Sequence, residues 1–323
     1  MATTDMHIFF NILINSIVPI FLLIFLGFSL DKKFNFDIKT LTKMNFFIFV
    51  PAFSFVNIYI TDISIDLFRV IMLTVVLLVV NFLFSTGLGR VLRLPFKTRK
   101  AFENSIMFYN AGNIGVSLMT LVFSSAPYVI NGATPFLEIA LSVQVMTLLV
   151  QNLSTNTLGF INSGGEGLTV KKGIIRVLQM PPVYAISLAI LLKFVPFDFT
   201  GVPVWSALVF IRHGLIPFSL ITIGVQLAKT KINLKLKTPY IAVFCRLLIC
   251  PAIAFALIHL FAFEGVIAKA IFISSSTPSA INSALLSVET KGDADFAVQT
   301  VTMSTLLSAI TMTTVVYLSY VLF

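Results

Sequence analysis

Charge is scarce in this sequence. Only 11% of its 323 residues are Asp, Glu, Lys or Arg, and 58% are hydrophobic, with a mean hydropathy of +1.00; a soluble domain carries roughly 25% charged residues. A soluble globular fold is excluded. Cysteine is scarcer still: Cys245 and Cys250 fall in one predicted helix, which rules out a disulfide framework and a four-ligand metal site and leaves them as small buried apolar groups. Missing too are a His/Glu metal pair at helical spacing, a Walker-type phosphate loop and a serine flanked as in a hydrolase elbow. No enzyme activity, metal or cofactor is therefore expected. His213 and His259 read as packed or interfacial residues rather than relays. Residues 1–7 hold no Lys or Arg, and the run from Ile8 to Leu30 exceeds a signal h-region of about 7–15 residues, so no cleavable signal is expected.

What is present is a succession of apolar runs, each long enough to span a hydrocarbon core of roughly 30 Å as a helix. Ten spans are predicted, at about 8–30, 40–60, 68–92, 100–123, 135–160, 173–195, 203–228, 238–262, 265–288 and 295–322. The chain reads as an all-α polytopic membrane protein, its lipid bilayer the first partner. The net charge of +9 resides in alternate short loops: Lys32, Lys33, Lys39 and Lys43; Arg90, Arg93, Lys97, Arg99 and Lys100; Lys171, Lys172 and Arg176; Lys229, Lys231, Lys235 and Lys237. Basic cytoplasmic loops account for this pattern without nucleic-acid binding. The intervening loops hold Asp62, Asp66, Asp198 and Glu264. A multi-pass protein of the cell membrane with both termini outside is expected.

Breaker residues recur between the halves. Pro19, Pro51 and the Asn110–Gly115 segment return as Pro181 or Pro182, Pro217 and Pro278, at an offset of about 165 residues. Val50-Pro51-Ala52-Phe53-Ser54 likewise resembles Ile216-Pro217-Phe218-Ser219. With five spans per half, the second half enters the membrane from the opposite face. An inverted repeat is expected, with residues 1–161 as the first unit, 162–172 as a cytoplasmic linker and 173–323 as the second. Such repeats, interrupted at matching spans, point to a secondary transporter with its site at the midplane.

The interruptions themselves are polar. Gly112 and Gly115 weaken the fourth span while Asn110 and Asn113 compete for its backbone bonds. In the ninth, Pro278 follows Ser274-Ser275-Ser276-Thr277 and precedes Asn282; it lacks an N–H and clashes with the carbonyl four residues back. Two broken helices crossing in opposite directions bring two N-termini, each with about half a positive charge, to the centre. Small organic anions, mono- or dicarboxylates, are the natural occupant. No Asp or Glu falls in the central third of any span, which disfavours sodium/proton exchange. Arg212 and Arg246 are embedded cations at roughly 2.5–3.5 kcal/mol each on insertion scales. Either could pair with a substrate carboxylate; the alternatives are that Arg246 snorkels and Arg212 bonds carbonyls near Pro217.

Asn110-Ala111-Gly112-Asn113-Ile114-Gly115, the Thr277-Pro278-Ser279-Ala280 break and Ser304-Thr305-Leu306-Leu307-Ser308 together resemble the auxin efflux carrier family, which includes plant auxin exporters and bacterial permeases proposed for malate, malonate and similar dicarboxylates. The resemblance runs the length of the chain, whose short central loop is like that of the bacterial permeases. It implies ten helices, a scaffold and a transport domain with crossed broken helices 4 and 9, as in sodium/proton antiporter-like or bile-acid symporter-like folds. It also implies elevator-type movement and a possible homodimer through the scaffold.

The expected function is thus carriage of a small organic anion by alternating access. Asn110, Gly112, Asn113, Thr277, Pro278 and Asn282 form the expected crossover, with Gln144, Asn152 and Ser54 as further lining and Arg212 and Arg246 as candidate anion contacts. Gly115, Ser276, Pro51 and Pro217 are expected at helix breaks or gates. A sodium-coupled symporter of the bile-acid type and a non-transporting membrane receptor or structural protein are the alternatives.

Overall fold

A backbone crossing lipid finds no water to bond its N–H and C=O groups, so an apolar run of this length closes its hydrogen bonds within a helix. The computed structural model describes residues 2–61, 64–163, 171, 175, 177–230 and 236–323, and is all-helical, with no strand among the described residues. The expected linker at 162–172 lies largely outside them, as do the first residues of the sixth expected span and Asp62, Lys172, Arg176, Lys231 and Lys235. In chain order the helices are α1 (Met6–Phe34), α2 (Ile38–Ile60), α3 (Ile65–Val91), α4 (Phe96–Met107), α5 (Asn113–Phe123), α6 (Leu137–Asn162), α7 (Pro181–Lys193), α8 (Pro203–Lys229), α9 (Thr238–Leu260), α10 (Gly265–Ser275), α11 (Ile281–Glu289) and α12 (Ala294–Leu322).

Seven of these, α1, α2, α3, α6, α8, α9 and α12, are long and apolar enough to cross a membrane. The difference from ten has a physical cause. The fourth and ninth expected spans are each split, into α4 and α5 and into α10 and α11, and neither half is long enough alone. The sixth is described only from its later part, where Pro181 opens α7 after an extended Met180.

Three prolines leave a common mark. Before Pro19, Pro51 and Pro251 the helix widens by one turn, in which the N–H of Val18, Val50 or Cys250 bonds the carbonyl five residues back, at Leu13, Asn45 or Cys245. Proline has no N–H and its ring crowds the carbonyl four residues earlier, so a wide turn relieves both defects. A fourth wide turn, Thr155–Gly159 in α6, packs its Gly159 against the Phe108 ring. Pro217 differs, since α8 continues through it without a wide turn.

The helices fall into two packed groups. α1 packs chiefly on α8, and α2 on α7 and α8; α3 to α6 pack with α9 to α12. Backbones approach closely where α1 crosses α8: a Cβ built on Gly27 would strike the Ile221 carbonyl, and one on Gly224 the Ile24 carbonyl. Small residues substitute here for the hydrophobic driving force that lipid removes. At the end where α1 and α8 finish, Lys229 bonds Asn35 Oδ1 at 2.7 Å and pairs with Asp31 at 3.1 Å, and Lys32 reaches the Ala228 carbonyl at 3.2 Å. Asp37 caps α2 at that same end, its carboxyl held below the usual range by the Thr40 hydroxyl and then the Lys39 amide.

Because backbone cannot yield as a flexible side chain does, Gly224→Val should destabilise the fold by about 3 kcal/mol, the upper range for overpacking. Gly87→Ala, which meets nothing within 4 Å, should leave stability unchanged or raise it by up to about 1 kcal/mol, the helix preference for alanine over glycine. Thermal unfolding of both variants in detergent checks this; equal melting temperatures would contradict the packing account.

Candidate functional site

The backbone leaves helix between Met107 and Asn113 and again between Ser275 and Ile281. Buried carbonyls and amides freed by a break must find partners, and here each break supplies them to the other. Asn110 N donates to the Pro278 carbonyl at 2.8 Å and Ala280 N to the Phe108 carbonyl at 2.9 Å, with Tyr109 and Ser279 facing each other in antiparallel register. Side chains complete the join. Ser279 Oγ donates to the Ser105 carbonyl at 2.7 Å, and Ser279 N to Ser304 Oγ at 3.2 Å. The hydroxyls of Ser276 and Thr277 turn back to the Ile273 and Ser274 carbonyls at 2.7 and 2.9 Å. Ser276, Thr277 and Pro278 therefore act on backbone, at the end of α10.

Four half-helix ends meet at this join, and Arg246 takes two of them. Its guanidinium is fully buried, donates through Nη1 to the Ile106 carbonyl at 3.0 Å and through Nη2 to the Ser275 carbonyl, and lies 4.9 Å from the centre of the Tyr109 ring. Those carbonyls belong to the C-terminal turns of α4 and α10. Two such ends carry roughly one negative charge between them, which matches a single arginine. No carboxylate among the described residues is within ion-pair distance of it. Arg246 lies in the wide turn before Pro251.

The two N-terminal ends, of α5 and α11, face a cavity of about 100 Å³ instead. The cavity lies between α2 and α8 on one side and α5, α6 and α11 on the other. Asn110, Gly112, Asn113, Asn152 and Asn282 line it, and with them Tyr109, Gln151, Asn45, Thr155, Thr222 and Gln226. A second cleft shares Thr42, Phe46, Thr155 and Asn282 and reaches Lys43 and Gln179, so the cavity leads toward the basic end of the bundle. Among the described residues, no Asp, Glu, Lys, Arg or His lines it.

The amides lining it are oriented by the backbone. Asn110 Oδ1 accepts from the Asn113 and Ile114 amides at 3.1 and 3.3 Å, capping α5, and its Nδ2 is buried with no partner. Gln151 Oε1 accepts from Tyr109 N at 3.3 Å, and its Nε2 is likewise buried without a partner. Asn113 Oδ1 accepts from Asn45 Nδ2 at 2.9 Å. In each case the oxygen is committed to the protein and the NH₂ is the free end. At α11, Ala280 supplies no side-chain cap and Ser283 N bonds the Ala280 carbonyl at 3.0 Å, so Ile281 and Asn282 carry the amides without an acceptor inside that helix. The arrangement offers donors and positive helix ends, and an acceptor-only ligand of small size is its complement.

The other candidates lie outside this cavity. Gln144 is behind the break, donating to the Ala111 carbonyl at 2.5 Å. Gly115 is needed there because a Cβ would collide with that amide. Ser54 is buried within α2. Arg212 is half-buried on α8 and faces the field of Glu138. Pro51 follows the wide turn that begins at Asn45. Gln151 and Asn45 escaped the sequence reading, although Gln151 follows Gln144 by seven residues and so shares its helix face.

Comparison with known proteins agrees with a membrane role. The family described as membrane transport protein matches residues 12–317. An uncharacterized transporter from Methanothermobacter thermautotrophicus is 28% identical over 153 residues, 46% of this chain and 48% of that protein. The chain thus aligns with about half the length of that relative.

If Arg246 is the counter-charge of two helix ends, Arg246→Met should cost about 3 kcal/mol by leaving buried carbonyls without donors, and Arg246→Lys less. Melting curves of purified protein test the order; an Arg246→Met variant as stable as the native protein would contradict it.

Proposed function

From the premise that this chain belongs to the membrane transport protein family, the auxin efflux carrier family, we propose that it carries a small organic anion across the cell membrane. The observation that supports this most is the pair of buried, unpartnered NH₂ groups, Asn110 Nδ2 and Gln151 Nε2, on side chains lining a cavity at two helix N-termini. A carboxylate satisfies both needs at once, because it accepts hydrogen bonds and carries the charge that the N-terminal ends favour. A cation would find no carboxylate there. Mono- or dicarboxylates of the size of malate, malonate or lactate suit the cavity better than bulky acids, since pockets for drug-sized ligands run to roughly 300–1,000 Å³.

The same architecture supports alternating access. On this reading the ten expected spans form two inverted units, residues 1–161 and 173–323, joined by 162–172. The group of α1, α2, α7 and α8 is the scaffold, and the group with the paired breaks moves against it as an elevator. The cavity lies on the seam and leads to the basic end, which the positive-inside tendency assigns to the cytoplasm; both termini are then outside.

Flux into proteoliposomes, screened with malate, malonate, lactate, succinate and an indole acid under imposed voltage, pH and sodium gradients, identifies the substrate and coupling. For the substrate found, Asn110→Ala and Asn113→Ala should each lower flux at limiting concentration by roughly 10- to 100-fold, as expected for lost hydrogen bonds to a charged group. Full transport by both variants would remove the site.

A further inference from the structure

The free NH₂ of Asn113 depends on a residue that does not line the cavity. Ser219, fully buried on α8, donates its hydroxyl to Asn45 Oδ1 at 3.0 Å, and Asn45 Nδ2 donates in turn to Asn113 Oδ1 at 2.9 Å. Its neighbour Thr222 makes the ordinary choice for a helix hydroxyl, turning back to the Phe218 carbonyl at 2.8 Å. Ser219 instead reaches across to α2. The result is a directed chain of donors, Ser219 to Asn45 to Asn113, that spends the Asn113 oxygen on the protein and leaves its NH₂ unspent.

Such a chain has two polarities. Run in reverse, Asn45 would donate to the serine oxygen, Asn113 would donate to Asn45 Oδ1, and Asn113 would present its own oxygen to the cavity. An amide oxygen repels a carboxylate; an amide NH₂ binds it. We propose that Ser219, through Asn45, is a positioning residue that sets the polarity of Asn113 and so makes the cavity selective for anions. This rests on the carrier reading and extends it to a residue outside the ligand's reach.

The placement has a second consequence. Ser219 and Asn45 belong to the α2–α8 side of the seam and Asn113 to α5 on the other. Any relative sliding of the two groups breaks the Asn45–Asn113 bond and releases Asn113 to turn. The donor is held toward the ligand only in the arrangement seen here, which couples anion affinity to conformation.

Three substitutions separate positioning from structure. Ser219→Ala removes the hydroxyl, leaves the end of the Asn45 amide that faces residue 219 without a partner in either polarity, and so frees Asn45 and Asn113 to turn. Ser219→Thr keeps the hydroxyl. Asn45→Asp accepts from both neighbours, which draws the Asn113 NH₂ away from the cavity. Binding of malonate and of lactate is followed by ligand-induced thermal stabilisation, alongside maximal flux. The apparent affinity of Ser219→Ala should weaken roughly three- to tenfold, the range of one neutral hydrogen bond, with maximal flux little changed and the empty protein melting somewhat lower because a buried amide end loses its partner. Ser219→Thr should be native-like, and Asn45→Asp weaker than Ser219→Ala. Ser219→Cys, a weak donor, should fall between native and alanine and serves if the alanine variant does not fold. Native affinity in Ser219→Ala or Ser219→Cys, or a threonine variant as weak as alanine, overturns the inference alone. A native protein that none of malonate, lactate, malate, succinate and an indole acid stabilises overturns the carrier reading and this inference with it.

Discussion

Everything at the centre of this bundle follows from one constraint: a helix broken inside a membrane must give its freed backbone groups new partners. The two breaks meet it by pairing with each other, Asn110 N to Pro278 O and Ala280 N to Phe108 O. That pairing fixes where the helices cross and fixes the polarity of the four half-helices around the crossing. The ends of α4 and α10 then need positive charge and receive Arg246. The starts of α5 and α11 need negative charge, and no described protein group at the cavity supplies it. On the proposed reading, an anion site is what remains when the other requirements of a broken membrane helix are met.

Neutral donors at that site suit a carrier. A fixed lysine or arginine in the cavity would hold a carboxylate by full charge in a low dielectric, whereas amides and helix ends give partial charge and directed hydrogen bonds. On the carrier reading a ligand can then be recognised and still leave. That reading also takes its means of release from the position of the cavity between two packed groups, with Asn45 and Thr222 on one side of the seam and Asn110, Asn113 and Gln151 on the other.

Local chemistry made much of this legible in the sequence. Hydropathy marked the long helices, and Asn110, Gly112, Asn113 and Asn282 were identifiable because glycine and asparagine in an apolar span weaken helix at that point; all four line the cavity. What the sequence concealed depends on contacts between distant segments. Arg246 has carbonyl partners 140 and 29 residues away, so its place at two helix C-termini could not be told from snorkelling. Gly115 reads as a helix breaker but serves a steric purpose, admitting the Gln144 amide. Pro51 reads as a gate, while its visible effect is a wide turn that begins at Asn45. Gln151 was hidden because a glutamine in an apolar helix shows its role only through what its oxygen meets across the bundle, here the amide of Tyr109.

The central claim is that an anion completes the charge balance begun by Arg246. Anomalous diffraction from crystals soaked with a brominated carboxylate tests it most directly. The bromine peak should lie in the cavity, with the carboxylate within hydrogen-bond distance of Asn110 Nδ2 and Gln151 Nε2. A carboxylate bound elsewhere with this cavity empty, or a cation bound between those two amides, would contradict the account.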